Sequence, residues 1–177
     1  IDPDSGKPLW STRVGRGGIQ GGIHFGMAAA GSTVFVGITD LLMQSDGSDS
    51  SDPGKPGLHA LDARTGKLLW HAAVPNQCAE REYCDPGISA AVTAMPGIVF
   101  AGHLDGWLRA YDSATGAILW ETNTAKDFAT VNKIPAHGGS IGGPGVAASN
   151  GYLVVNSGYG FSYHMPGNVL LVFEAAR

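Results

Sequence analysis

Three stretches of the chain repeat one order of apolar, turn-forming and aromatic residues. In each stretch an aspartate follows an apolar residue, a glycine stands four residues later, and an apolar run then ends in tryptophan. The aspartate side chain can accept hydrogen bonds from the backbone ahead of it, and glycine tolerates positive φ. Each stretch therefore predicts two strands joined by a tight turn. The stretches cover residues 1–10, 61–70 and 111–120, and a fourth begins at residue 170.

The segments between these stretches repeat as well. Each contains a run of small residues, a turn with glycine, and a run of aliphatic, β-branched or aromatic residues. Short connections of this kind predict hairpins. The small residues suit a strand that is crowded close to a central axis. These hairpins are expected at residues 22–37, 87–102 and 138–156.

Together the two patterns give four strands per repeat, from an inner strand to an outer strand that ends near a tryptophan. Trp10 and Trp70 are 60 residues apart, and Trp70 and Trp120 are 50 apart. Repeats of this length indicate an all-β propeller of four-stranded antiparallel blades, with each tryptophan docked between neighbouring sheets. We expect twelve strands, which is about three blades. They form an outer strand (1–13), a blade (14–73), a second blade (74–122) and an incomplete blade (123–177).

Three blades do not close a ring, because propellers typically contain four to eight. An open array would leave sheet faces uncovered. The sequence therefore predicts either a C-terminal fragment of a longer propeller or a chain that a second chain completes.

Strand order also predicts which face of the blades carries function. The connections from first to second strand and from third to fourth strand are short and alike, whereas the others are long and individual. Long, distinct loops on one face of a rigid scaffold are where binding and catalysis are expected. These loops cover residues 14–21, 38–57, 74–85, 123–137 and 157–167.

Composition and charge exclude several other classes. Only 15% of the 177 residues are charged and the net charge is −4, so neither a disordered chain nor a nucleic-acid partner is expected. No apolar run approaches the ~20 residues of a membrane span. Cys78 and Cys84 lie in a polar segment and predict a local disulfide in an oxidising compartment, with two free thiols as the alternative. Two thiols are too few for a metal site, and no haem-attachment motif is present.

Several strings resemble those of one family. The stretch at 62–70 looks like the repeat of pyrroloquinoline quinone (PQQ) dehydrogenases. More specific strings resemble the C-terminal part of polyvinyl alcohol dehydrogenase-like PQQ propellers. Among them are the residues at 21–26, 89–93, 130–132, 138–140, 155–160 and 166–171. The resemblance implies an eight-bladed periplasmic or secreted propeller that oxidises secondary alcohols, small or polymeric, with PQQ and Ca²⁺ and passes electrons to cytochrome c. The adjacent cysteine pair of many such enzymes is missing, and Gly142 stands where an acidic residue is common.

The candidate cofactor-binding residues lie at the ends of the inner strands and in the long loops. His24 begins an inner strand and is expected near a central funnel, where it could contact a quinone carboxylate. A cationic side chain could pair with an anionic cofactor. The candidates at the mouth of the same funnel are Gln20, Asn132, Lys133 and Asn156.

A general base and a metal site are not assigned. Alcohol oxidation needs a carboxylate base, and the loop-rich face offers several without distinguishing one. Asp105 precedes Gly106 and is interpreted as a turn residue. The acidic loop at 44–52 lacks the bidentate glutamate of an EF-hand and is interpreted as a solvated loop. The other carboxylates considered are Glu80, Glu82, Asp85 and Asp127.

Two further functions remain open from the sequence. One is a propeller that keeps the repeat but serves as a non-catalytic binding protein or scaffold. The other is a partial propeller that assembles with copies of itself. Quinone binding separates the enzyme from the scaffold, and mass in solution tests self-assembly.

Overall fold

A computed structural model describes residues 1–18, 21–41, 51–159 and 163–175 of the chain. This part of the chain is built from β-strands, turns and loops and contains no helix. Eleven of its thirteen strands form three antiparallel sheets. The two remaining strands form a small hairpin, β9 (Asp127–Phe128) and β10 (Ala136–His137), before the third sheet.

Each sheet follows chain order from its inner to its outer strand. The first sheet contains β1 (Ala28–Ala30), β2 (Thr33–Ile38), β3 (Gly57–Asp62) and β4 (Leu68–Ala73). The second contains β5 (Thr93–Met95), β6 (Ile98–Gly102), β7 (Trp107–Asp112) and β8 (Ile118–Asn123). The third contains β11 (Val146–Ser149), β12 (Tyr152–Ser157) and β13 (Val169–Glu174). The predicted hairpins and four-stranded blades are confirmed in the first two sheets.

Apolar side chains fill the spaces between neighbouring sheets. Phe35 and Leu58 of the first sheet share a buried cluster with Val99 and Tyr111 of the second. A second cluster joins the second sheet to the third, and its members include Leu108, Ile141, Leu153 and Val155. Each sheet is thus covered by the next, as in successive blades of a propeller.

The turns between third and fourth strands have one geometry. In the first sheet, Asp62 Oδ1 accepts hydrogen bonds from Thr65 N and Thr65 Oγ1, both at 2.8 Å. Gly66 has a φ of +71°, which only glycine adopts without strain. Asp112 and Asp2 make the corresponding contacts in their own turns. The aspartate–glycine spacing therefore predicted the turn geometry correctly.

The outer strand predicted at residues 1–13 pairs with no strand among the described residues and stays a prediction. The turn at Asp2 forms, but no strand is assigned within described residues 1–18. A strand requires a hydrogen-bonded neighbour, and none of the thirteen strands pairs with this segment. Trp10 and Val14 instead pack as side chains on the outer face of the first sheet, against Val36 and Leu61.

Candidate functional site

The segments that lead into the inner strands lie side by side and form a continuous wall. Phe25 N donates to Ser89 O at 3.3 Å, which joins the segment before β1 to the segment before β5. Ala91 N donates to Gly143 O at 3.1 Å and joins the latter to the segment before β11. We call residues 21–27, 87–92 and 138–145 the inner wall.

Glycine allows these backbones to approach closely. A Cβ placed on Gly145, whose φ is +79°, would collide with Ala91 O. The small residues of the sequence pattern are therefore required by contacts between neighbouring inner segments.

His24 is fixed in the inner wall by a neighbouring segment. Its Nδ1 lies 2.8 Å from Ser89 Oγ. Ser89 is buried, at 1% exposure, whereas His24 is half-buried. The imidazole also makes an edge contact with Phe25, with 5.4 Å between ring centroids. The predicted candidate thus lies in the segment before β1, with its ring oriented by a hydroxyl of the segment before β5.

A second histidine, absent from the sequence-based candidates, lies close to the first. His164 is 6% exposed, and neither ring nitrogen has a hydrogen-bond partner among the described residues. Burial lowers the pKa of His164, and the proximity of His24 lowers it further. A neutral imidazole offers one donor and one acceptor, so His164 holds two unused hydrogen-bonding positions beside the inner wall.

The loop that carries His164 is held on the inner wall by a serine. Ser140 N donates to Met165 O at 2.9 Å, and Met165 N donates to Ser140 Oγ at 2.9 Å. Gly142 provides room for the imidazole, because a Cβ there would lie 3.2 Å from His164 Nδ1. Gly142 stands where the resemblance leads one to expect an acidic residue, and here it accommodates a histidine.

The other predicted candidates lie elsewhere or outside the described residues. Gln20 falls outside them. Asn132 and Lys133 are exposed at the tip of the β9–β10 hairpin. Asn132 lines a cleft of about 620 Å³ between that hairpin and β13. Asn156 is half-buried in β12, opposite Leu170 of β13. Their assignment to a cofactor stays a prediction.

The predicted disulfide is confirmed. Cys78 and Cys84 are bonded, and Arg81 braces the enclosed loop by donating from Nη2 to Gln77 O at 3.0 Å. Tyr83, inside the loop that the disulfide closes, lies near Tyr163, with 6.4 Å between ring centroids. The disulfide loop therefore lies beside the loop that carries His164.

Asp85 directly follows Cys84 in the chain, and the pKa of its carboxyl group is raised. Burial raises the pKa of Asp85 to about 6, and the nearby carboxylate of Asp105 adds to the effect. Gly87 N donates to Asp85 Oδ1 at 2.7 Å and partly opposes the rise. Asp105 Oδ1 accepts from Trp107 N at 3.0 Å, which confirms its predicted role in a turn.

A buried polar cluster was not predicted from the sequence. Arg109 of β7 is 0% exposed, and its Nε donates to Glu121 Oε2 at 2.9 Å. Asp105 Oδ2 lies 3.6 Å from Arg109 Nη2. Tyr111, on the same strand, has its hydroxyl 2.9 Å from His103 Nε2. This cluster lies between the first two sheets and supports the fold.

The described residues offer no group of three or more histidine, cysteine, aspartate or glutamate side chains placed to hold a metal ion. Only Ser51 and Asp52 of the calcium-like acidic loop at 44–52 belong to the described residues. Nor does the described part contain a helix long and apolar enough to cross a bilayer.

Comparison with known proteins identifies the family of this chain. A family model described as outer membrane protein assembly factor BamB matches residues 1–130. A polyvinyl alcohol dehydrogenase from a Pseudomonas species is 40% identical over 186 residues, covering 98% of this chain and 28% of that protein. Its counterpart from Sphingopyxis is 38% identical over 164 residues, covering 90% of this chain and 24% of that protein. The chain thus spans about a quarter of these relatives.

Solved structures agree on the architecture. A quinohemoprotein alcohol dehydrogenase from Pseudomonas putida superposes with a TM-score of 0.53 at 25% identity, covering 78% of this chain and 17% of that one. BamB from Moraxella catarrhalis superposes with a TM-score of 0.50 at 19% identity, covering 84% and 32%. With the repeated turns, the stacked four-stranded sheets and the family match, these likenesses show that the chain belongs to the polyvinyl alcohol dehydrogenase-like family of PQQ-type β-propellers.

Proposed function

We propose that the chain supplies three blades of a PQQ-dependent alcohol dehydrogenase and that its inner wall holds part of the quinone. The observation that carries the proposal is that the ring nitrogens of His164, buried near the His24–Ser89 pair, have no hydrogen-bond partner among the described residues. Buried polar atoms in folded proteins are nearly always hydrogen-bonded, which supports a ligand as their partner.

The residues of the inner wall fit the polar edge of such a cofactor. PQQ, when bound, accepts the electrons of the alcohol. His164 can donate one hydrogen bond to a carboxylate or carbonyl oxygen, and the His24 ring that Ser89 holds lies close to it. Because burial keeps His164 neutral, it binds by hydrogen bonding rather than by charge.

Calcium needs a different kind of site, because Ca²⁺ takes six to eight oxygen ligands. The described residues hold no acidic cluster that could supply them. We therefore infer that the Ca²⁺ ligands come from other blades of the ring, and we assign none to this chain.

The names of the relatives support a proposal for the substrate and the electron acceptor. The polyvinyl alcohol dehydrogenases act, by name, on a polymeric secondary alcohol. A 1-butanol dehydrogenase (cytochrome c) from Thauera butanivorans is 43% identical over 72 residues, covering 40% of this chain and 10% of that protein. We propose a secondary alcohol as substrate, cytochrome c as acceptor, the periplasm as location, and further blades to complete the ring.

Reconstitution of the full gene product with PQQ and Ca²⁺ tests this function. We expect reduction of an artificial dye by a secondary alcohol, lost on chelation. His164→Ala should weaken PQQ binding about tenfold or more, since a hydrogen bond to a charged group contributes about 1.5–3 kcal/mol. His137→Ala, at an exposed hairpin position, is the matched control and should bind normally.

A scaffold function is the second candidate. It is favoured by the match of residues 1–130 to a family model described as an assembly factor. If the intact protein binds no quinone, the enzyme proposal is wrong and the scaffold remains.

A further inference from the structure

Two tyrosines from different loops meet on the loop-rich face of the sheets. Tyr83 lies in the loop that the Cys78–Cys84 disulfide closes, and Tyr163 lies in the loop between β12 and β13. Their ring centroids are 6.4 Å apart and the ring planes are inclined by 49°. Tyr83 and Tyr163 are 50% and 57% exposed. We call them the tyrosine pair. Adjacent aromatic side chains that stay half open to solvent form a surface that a ligand can cover.

The loops of the tyrosine pair are anchored on the second sheet, at the turn between β6 and β7. Leu104 N donates to Gly87 O at 3.0 Å, just after the disulfide loop. Ser140 Oγ donates to Leu104 O at 2.5 Å and accepts from Met165 N at 2.9 Å, two residues after Tyr163. The first and third sheets pack on either side of the second. The pair is therefore exposed at a place where both neighbouring sheets are present.

Both tyrosines are held in an uncommon backbone conformation. The φ of Tyr83 is +57° and that of Tyr163 is +64°. Side chains other than glycine rarely adopt this region, and residues held in it cluster at binding sites. Arg81 N and Nε both donate to Cys78 O, at 3.1 and 3.3 Å, which braces the loop of Tyr83. The pair is thus oriented before a ligand arrives, so little side-chain freedom is lost on binding.

The tyrosine pair adjoins the proposed cofactor site. Tyr163 directly precedes His164, which lies against Gly142 of the inner wall. The same loop places Tyr159 on the next wall residue, since a Cβ on Gly143 would lie 3.6 Å from Tyr159 Cδ1. Tyr159 is 57% exposed as well. A molecule bound by the pair can therefore extend along the inner wall.

The charges near the tyrosine pair favour an uncharged ligand. Residues 157–167 contain no aspartate, glutamate, lysine or arginine. Beside Tyr83, Glu80 and Glu82 are exposed and repel anions, whereas the guanidinium of Arg81 is bound to backbone carbonyls. A phenol offers an apolar ring to methylene groups and a hydroxyl that donates and accepts hydrogen bonds. This chemistry matches a chain that alternates methylene groups with hydroxyl-bearing carbons.

We propose that the tyrosine pair binds a segment of an uncharged polymeric secondary alcohol and holds the adjoining segment beside the inner wall. The proposal rests on the proposed function, because it concerns the substrate of that same site. A polymer long enough to contact both places keeps its reactive segment at a high local concentration, whereas a short alcohol does not. The names of the two polyvinyl alcohol dehydrogenases support a polymer of this kind.

Calorimetric titration of poly(vinyl alcohol) into the quinone-free full gene product tests the site. We expect saturable binding, which Tyr83→Ala and Tyr163→Ala should each weaken about three- to tenfold. Tyr152→Ala is the matched control and should bind normally. Tyr152 is 47% exposed but begins β12, at the opposite end of that strand from the loop of Tyr163. No saturable binding, or equal affinity in all three variants, overturns the proposal.

Nitration by tetranitromethane tests the site in the unaltered protein, so it does not depend on whether a variant folds. Poly(vinyl alcohol) should slow nitration of Tyr83 and Tyr163 severalfold and leave that of Tyr152 unchanged, as read by mass spectrometry of peptides. Equal rates with and without polymer, or equal slowing at all three tyrosines, contradicts a site at the pair. Poly(acrylic acid) is the charged control, and equal protection by this polyanion would disprove the preference for an uncharged polymer.

The two proposals can fail separately, because no quinone is present in these tests. Polymer binding in a protein that binds no PQQ would disprove the enzyme and leave the tyrosine site standing. A PQQ-dependent activity without protection of the tyrosine pair would do the reverse.

Discussion

The indole of Trp70 lies on the turn glycine Gly116 of the neighbouring sheet. A Cβ placed on Gly116 would stand 2.6 Å from Trp70 Cε3. Trp70 Nε1 donates to Ser113 O at 3.3 Å, in the same turn. The contact joins the last strand of one sheet to the last turn of the next, and Trp10 and Gly66 repeat it. It is the repeating link between sheets.

Replacing Gly116 by alanine should therefore break this link. Left-handed strain at φ +75° and collision with the indole should together lower the free energy of unfolding by about 2–4 kcal/mol. Gly97→Ala is the control, because Gly97 has a φ of +83° with no atom within 4 Å of its Cβ position. That control should lose only about 1 kcal/mol. Urea unfolding measures both, and equal losses would mean that the Trp70 contact adds nothing.

The buried pair His103–Tyr111 makes a second prediction. Pro86 O, 3.0 Å from His103 Nδ1, can only accept, so Nδ1 carries the proton and Nε2 accepts from the tyrosine hydroxyl. Burial lowers the pKa of His103 to about 3. Tyr111→Phe leaves Nε2 buried without a partner and should destabilise the protein by about 1–3 kcal/mol. Nitrogen NMR should show His103 neutral, protonated at Nδ1, at pH 5, and an imidazolium spectrum there would contradict the assignment.

Replacing Arg109 should destabilise the fold more than replacing its partly exposed ion-pair partner, Glu121. Arg109→Leu leaves Asp105 buried without its cation, and we expect a loss of about 3–5 kcal/mol. Glu121→Gln removes a carboxylate whose side chain is 35% exposed, and should cost about 1 kcal/mol or less. Thermal unfolding of the two variants compares these effects directly. A larger loss in Glu121→Gln would show that the partly exposed pair dominates.

The raised pKa of Asp85 predicts how the stability of the fold depends on pH. Its folded pKa of about 6 lies above the ordinary value of 3.8, so between these values the folded chain binds more protons than the unfolded chain. The contribution of Asp85 to stability therefore falls as pH rises from about 4 through 6 and is constant above about 7. We expect a loss of about 1–2 kcal/mol over this range. Asp85→Asn should remove that slope, and an unchanged slope in this variant would assign the pH dependence to other groups.

The sequence predicted those features whose cause is local. The spacing of Asp62, Gly66 and Trp70 indicated the turn, the strand and the docking, because each depends on nearby backbone. The Cys78–Cys84 bond followed from two cysteines in one polar loop. The strand expected at residues 1–13 stays a prediction, since its pairing requires a neighbour that the local pattern does not supply.

The candidate site was predicted only in part. His24 was expected at the start of an inner strand and lies in the segment just before β1, and its role toward a cofactor stays a prediction. His164 was missed, because its burial arises from packing of a long loop on the inner wall, where its nitrogens have no partner among the described residues. The only signal for it was that loop's position on the face where function was expected. Arg109 was missed because a buried charge in a strand breaks the alternation of apolar and polar positions that predicts burial.

The central claim is that the inner wall binds a quinone, and a titration of PQQ into the intact protein tests it most directly. We predict saturable binding of one PQQ per ring, followed by fluorescence quenching. His164→Ala should weaken binding about tenfold or more, while His137→Ala leaves it unchanged. No saturable binding, or equal affinity in the two variants, would contradict the claim.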